Sequence, residues 1–194
     1  IDALQKKYPI FKQARFAHFD SKNKAAKKGT DLHEILERFC KNQMGKKVTI
    51  TSEEAKLIKP FIDWSKENVK QFHASEAHTY SESMFVGGII DTIAELKDNS
   101  MAVIDFKSAK EAYPSHFLQT AGYALQVEET GLFDESGKHN KKLNKPITKL
   151  IVVPFGSEKA EPVVRYGMAV EEYKNGFKHA LALYRLLGLE NKIK

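Results

Sequence analysis

Two short runs decide how this chain folds: Gly87-Gly88-Ile89-Ile90-Asp91 and Val103-Ile104-Asp105-Phe106-Lys107-Ser108. The second closes a segment, Met101 to Lys107, that is apolar on both faces until its end. Such a segment reads as a strand in the middle of a sheet. An aspartate and a lysine at the end of a buried strand are costly unless they are paired, hydrated or liganded. Side chains alternate along a strand, so Asp105 and Lys107 share a face. Between the runs, Lys97-Asp98-Asn99-Ser100 is a polar turn. If the hairpin closes through three residues, Lys97 to Asn99, then Asp91 falls opposite Asp105, with Cβ atoms roughly 5 Å apart. A one-residue slip would separate them onto opposite faces. Two carboxylates that close repel unless one is protonated or a cation lies between them. A hard divalent cation with oxygen ligands resolves the repulsion. An ordinary Asp105–Lys107 ion pair beside a solvated Asp91 is the other reading of the same residues.

Outward from this hairpin the chain alternates between helical and extended patterns. Leu32, Ile35, Leu36, Phe39 and Cys40 lie on one helical face. Thr51-Ser52-Glu53-Glu54 has the form of a capping box opening a second helix. Leu57, Ile58, Phe61, Ile62 and Trp64 continue that helix, and Pro60 is expected to kink or split it. Strands are predicted over residues 72–81, 84–96 and 101–107. Ser115 is the expected cap of a third helix carrying Phe117, Leu118, Ala121, Leu125 and Val127. Gly131 to Pro146 reads as an exposed polar loop. Ile147 to Phe155 and Pro162 to Met168 read as strands, and Glu171 to Leu187 as a final amphipathic helix. The order predicts an α/β fold, a mixed central sheet flanked by helices. One domain is expected over residues 1–194, with a helical part to about 71 and the sheet with its helices from about 72.

The composition narrows the classes. The 194 residues carry 31 Lys+Arg and 25 Asp+Glu, a formal charge of +6, with 42% hydrophobic content. That supports a packed core rather than disorder or a fibre. No apolar run approaches the roughly 20 residues that span a bilayer, and no signal peptide is visible at the N-terminus. A lone cysteine, Cys40, excludes a disulfide framework or a four-cysteine metal cluster within this chain. An intracellular, cytoplasmic setting and no membrane partner are the expectation.

Gly88-x-x-Asp91, Asp105-x-Lys107 and Gln119-x-x-x-Tyr123 follow one another in a pattern that resembles the PD-(D/E)xK nuclease superfamily, in its RecB-like exonuclease branch. Upstream, Gly29-Thr30-Asp31-Leu32-His33-Glu34-Ile35-Leu36-Glu37 resembles that branch's histidine helix, with His33 at the matching position. The resemblance runs from Gly29 to Tyr123. It implies a restriction-endonuclease-like core and a deoxyribonuclease that depends on Mg²⁺ or Mn²⁺. His33, Asp91, Asp105 and the Phe106 carbonyl are the implied metal ligands. Asp91, Asp105 and Lys107 are the implied catalytic group. Glu76 is implied as a support, either for a second metal or for Lys107, and Gln119 and Tyr123 as supports on the following helix. Asp105 stands where many members have Glu, which moves the carboxylate by about one carbon, and Ile90 replaces the proline of the motif's name. The missing cysteines set the chain apart from members that carry an iron–sulfur cluster.

The resemblance implies an exonuclease acting on DNA ends, single- or double-stranded, in recombination, repair or phage DNA processing. A structure-specific endonuclease and a non-catalytic nucleic-acid-binding module on the same fold are the alternatives. No Walker A motif is present, so a helicase would be a separate partner, and oligomeric state is left open. Lys22, Lys24, Lys27 and Lys28, and Lys138, Lys141, Lys142 and Lys145, are candidate phosphate contacts, which give affinity without sequence reading. Lys27, Lys28, Lys141 and Lys142 are the favoured ones. Phe11 and Phe16 are candidate stacking surfaces, and the Tyr113 to His116 segment a candidate substrate contact. Each basic stretch also reads as an ordinary solvated face.

Overall fold

The computed structural model describes residues 32–134, 136–156 and 161–188. Residues 32–43 are helical (α1). They are followed by α2 (Ser52–Leu57) and α3 (Lys59–Asn68), then β1 (Val69–Ser81), β2 (Val86–Leu96) and β3 (Met101–Lys107). After α4 (Pro114–Thr130) come two short strands, β4 (Leu132–Phe133) and β5 (His139–Lys141). The chain ends with β6 (Ile147–Pro154), β7 (Val163–Tyr166) and α5 (Met168–Leu186).

One sheet of seven strands has the order β5-β4-β1-β2-β3-β6-β7. It is mixed: β3 and β6 run parallel, and every other neighbouring pair is antiparallel. The parallel pair requires a crossover, and α4 is the helix of that crossover. The expected α/β fold with a mixed sheet flanked by helices is therefore present. On one face, Phe117, Ala121, Ala124 and Val127 of α4 and Val170 of α5 pack against Ile90, Ile93, Met101, Val103 and Val152. On the other face, Ile35, Leu36, Phe39 and Cys40 of α1, with Ile58 and Phe61, cover Phe72, Ala94, Ile104, Phe106 and Ile151. β3 lies between β2 and β6 and is buried from Met101 to Phe106, as a strand apolar on both faces must be.

Thr51 caps α2: its hydroxyl accepts from the Glu54 N–H at 3.2 Å, and Glu54 Oε2 accepts from the Thr51 N–H at 2.9 Å. Pro60 stands in the first turn of α3, so the expected break falls between Leu57 and Lys59. There the missing N–H of proline costs nothing. Two expectations need correction. Ser115 does not cap α4. The helix opens at Pro114 behind Tyr113, and His116 Nδ1 accepts the Tyr113 N–H at 3.2 Å. Proline at the first helical position places the cap at Tyr113, two residues before Ser115. Nor is Gly131 to Pro146 simply an exposed loop, because β4 and β5 extend the sheet within it. Leu132 is buried, and the Phe133 ring sits 4.9 Å from that of Tyr80 on β1. Those apolar contacts outweigh the polar surroundings. Among the described residues, no helix is long and apolar enough to cross a membrane.

Candidate active site

The β2–β3 hairpin has the register that a three-residue loop demands. Thr92 pairs with Ile104 and Glu95 with Met101, and the pairing ends there, so the expected facing pair of Asp91 and Asp105 is not part of the ladder. The Leu96 N–H donates to Ser100 at 2.9 Å, and Asn99 takes φ +64°. A left-handed residue closing a three-residue loop is a common hairpin geometry. Asp98 Oδ1 ties the loop by accepting from the Ser100 N–H at 3.1 Å.

The ladder stops at Thr92–Ile104, and the site begins there. Continued pairing would send the Phe106 N–H to the Ile90 carbonyl. Instead it donates to Asp91 Oδ2 at 2.6 Å. A residue's N–H and C=O point towards the same neighbouring strand, so the Phe106 carbonyl also faces the opened gap. The strands also turn over locally. Ala74 and Ala77 on β1, and Ile90 and Ile93 on β2, all pack on the α4 side. A spacing of three breaks the period of two. On β1 the break coincides with Glu76, at φ +52°. Asp91 consequently reaches the α1 side of the sheet. Its Oδ1 lies 3.2 Å from His33 Nε2. By strand alternation Asp105 keeps the orientation of Met101 and Val103, so the site draws on both faces.

A cleft of about 660 Å³ collects these groups. His33, Asp91, Asp105, Phe106, Lys107, Gln119 and Tyr123 all line it. Lys107 Nζ donates to Asp105 Oδ1 at 2.9 Å and lies 2.8 Å from Oδ2. Both oxygens of the buried carboxylate therefore lie beside the Lys107 ammonium, although among the described residues only Oδ1 has an aligned hydrogen bond. Burial pushes the Asp105 carboxyl up to about 6; Lys107 opposes the shift and Asp91 adds to it. His33 is shifted upward, first by its hydrogen bond to Asp91, while burial works the other way. The Gln119 amide donates to the Tyr123 hydroxyl at 2.8 Å, as two residues one helical turn apart can. Gly88 has its own reason: a Cβ there would lie 2.6 Å from Tyr123 Cε1. The glycine of the Gly88-x-x-Asp91 motif lets that ring lie against β2.

α1 is held in place by aromatic and ionic contacts. Phe106 meets His33 edge-on at 5.8 Å and Phe61 at 5.1 Å. Arg38 grips Glu54 with two contacts, at 2.5 and 3.2 Å, and donates to the Thr49 carbonyl at 2.8 Å.

The sequence reading missed Glu37. It follows His33 by one helical turn, and that spacing was the available signal. His33, Glu37 and Glu76 each offer a ligating atom within 4.8 Å of the others. Glu37 also pairs with Lys41. Burial, followed by the nearby Glu37 and Asp91, raises the Glu76 carboxyl, and among the described residues Glu76 Oε1 has no hydrogen-bond partner. Glu76 therefore stands beside the cleft on the α1 side.

The basic candidates fare unevenly. Lys27 and Lys28, with Lys22, Lys24, Phe11 and Phe16, lie outside the described residues. Lys142 is exposed, whereas Lys141 contacts His73 Nδ1 at 2.6 Å. Lys145 pairs with Glu95 at 2.7 Å, and with Lys70 it holds that carboxyl down at about 2. The His116 ring serves the start of α4. Buried Cys40 has its thiol pushed upward by desolvation, an unreactive state. No family model matches the chain, and no curated protein matches it at a significant level.

Proposed function

We propose that this chain is a metal-dependent DNA nuclease with a restriction-endonuclease-like core of RecB-like type, working as an exonuclease on DNA ends. The observation that carries the reading is Asp105. It is a nearly fully buried carboxylate at the wall of the cleft, ion-paired with Lys107 at 2.8 Å, and Asp91 lines the same cleft, so two acids meet there beside one lysine and a divalent cation would balance their charge.

The chemistry of the implied donor set suits Mg²⁺ or Mn²⁺, while among the described residues the ligand atoms already gathered within 4.8 Å of one another belong to His33, Glu37 and Glu76. Carboxylate and carbonyl oxygens with one imidazole suit hard to intermediate divalent ions. His33, Asp91, Asp105 and the Phe106 carbonyl would hold the ion. When bound, it supplies charge to the phosphate and makes a water more acidic. The chain's own groups divide the remaining work. The Phe106 N–H and His33 clamp one oxygen each of Asp91, which fixes the carboxylate's orientation. Lys107 stands at the rim of the same acids and offers a compact positive charge to a phosphodiester as negative charge develops. The hydrogen-bonded Gln119–Tyr123 pair lines the same cleft, where it contacts the nucleotide.

End-labelled linear DNA and closed circular DNA, each incubated with Mg²⁺, Mn²⁺ or EDTA, test the reading. Metal-dependent loss of linear DNA alone is expected. Cutting of circles would replace the exonuclease reading with the endonuclease one. Binding without cleavage of any substrate would leave only a nucleic-acid-binding module.

A further inference from the structure

Three side chains gather ligand atoms apart from the two acids of the cleft. His33 and Glu37 stand one turn apart on α1, Glu76 stands on β1, and each offers an atom within 4.8 Å of the other two. The oxygens of Asp91 and Asp105 already have protein partners: the Phe106 N–H and His33 for Asp91, and Lys107 for Asp105. The group is reached from solvent, since His33 and Glu37 line the cleft while Glu76 and Lys41 line another cavity, of about 690 Å³. Glu76 also carries an unmet demand. Its Oε1 is shut off from solvent and, among the described residues, has no hydrogen-bond partner. Such an oxygen is costly without a donor or a cation. The residue is held at φ +52°, a conformation that a glutamate seldom adopts.

We propose that His33, Glu37 and Glu76 form a binding site for a divalent transition ion, Zn²⁺ above all, distinct from the acid pair of the cleft. The inference does not rest on the nuclease reading, which is carried by Asp105. One imidazole nitrogen and two carboxylate oxygens are ligands that Zn²⁺ takes, whereas Mg²⁺ and Ca²⁺ prefer oxygen alone. Three protein ligands leave a fourth position for water. With bonds of about 2.0 Å, ligand atoms around tetrahedral Zn²⁺ lie about 3.3 Å apart, so each atom moves inward by about 1 Å at most. Two glutamate side chains accommodate that by small rotations. Asp91 Oδ1, 3.2 Å from His33 Nε2, fixes the orientation of the imidazole, a service that a carboxylate commonly gives a ligating histidine. Lys41 now balances Glu37, and the carboxylate has two oxygens to share between the ammonium and the ion.

The test is Zn²⁺ binding to the untagged whole chain, stripped with EDTA and desalted, by isothermal titration calorimetry. Millimolar Mg²⁺ in the buffer fills any site that accepts a hard ion. One Zn²⁺ per chain is expected for the wild type. Glu37→Gln and Glu76→Gln keep the side chain's size and remove its charge, and each should weaken Zn²⁺ at least about tenfold, the loss that even outer partners of a bound metal cause. Asp105→Asn should bind Zn²⁺ as the wild type does. Circular dichroism confirms that each variant is folded, and using two glutamate variants guards against one that is not. No Zn²⁺ bound by the wild type, wild-type affinity in either folded glutamate variant, or a loss in Asp105→Asn alone overturns the site and leaves the nuclease reading standing.

Discussion

At the scale of single residues, Asp105 links protonation to stability. Its folded pKa of about 6 lies above the ordinary 3.8, because burial penalises the charged form. The folded state therefore holds the proton more tightly than the unfolded chain. The stabilisation is complete below about pH 4 and is lost as pH rises through about 6. In metal-free protein this group alone is expected to remove up to about 3 kcal/mol between pH 4 and 7. Thermal melts across that range should show a falling stability in the wild type and a flatter profile in Asp105→Asn. Adding Mn²⁺ at pH 7 should recover stability in the wild type more than in the variant. Parallel pH profiles for the two proteins would show that Asp105 is not the strained group.

At the scale of elements, two contacts position His33 from a distance. The Thr51–Glu54 capping box starts α2, and Glu54 in turn grips Arg38 on α1. The guanidinium holds the Glu54 carboxyl down at about 2. Thr51→Ala removes one half of the box. It is expected to cost about 1 kcal/mol in a denaturant melt, with little loss of cleavage, since the Arg38–Glu54 pair remains. An unchanged melting midpoint would mean the cap contributes nothing. This box was legible in the sequence because capping is local chemistry. The hairpin register was legible for the same reason: three turn residues set it. The start of α4 was misread because Ser115 is a good cap in isolation, while Pro114 is a better first residue. β4 and β5 were missed because strands of two and three residues show no periodicity. They are held by non-local contacts, such as the Thr79 hydroxyl donating to the Gly131 carbonyl at 2.9 Å. Glu37 was visible only as one turn after His33. Its nearness to Glu76 depends on the left-handed residue in β1, which nothing in the sequence around Glu76 announces.

At the scale of the whole molecule, the charge of +6 does not form one uniform basic surface. Lys41, Lys70, Lys107, Lys145 and Lys149 each face a carboxylate, and buried Lys174 bridges Glu128 and Glu171. The acids Asp91 and Asp105, with Glu76 beside them, gather where β2 separates from β3. The separation opens a cleft, turns Asp91 towards α1 and leaves the buried Asp105 with Lys107 as its partner. A packed sheet gains nothing from this arrangement by itself, so the account places the molecule's chemistry there. The most direct test is release of acid-soluble nucleotides from linear DNA by the wild type, Lys107→Ala and Asp105→Ala, with Mg²⁺ or Mn²⁺ and with EDTA. The account predicts release by the wild type with a divalent ion, none in EDTA, and a loss to background in both variants while they stay folded. Undiminished release by either folded variant, or by the wild type in EDTA, would contradict it.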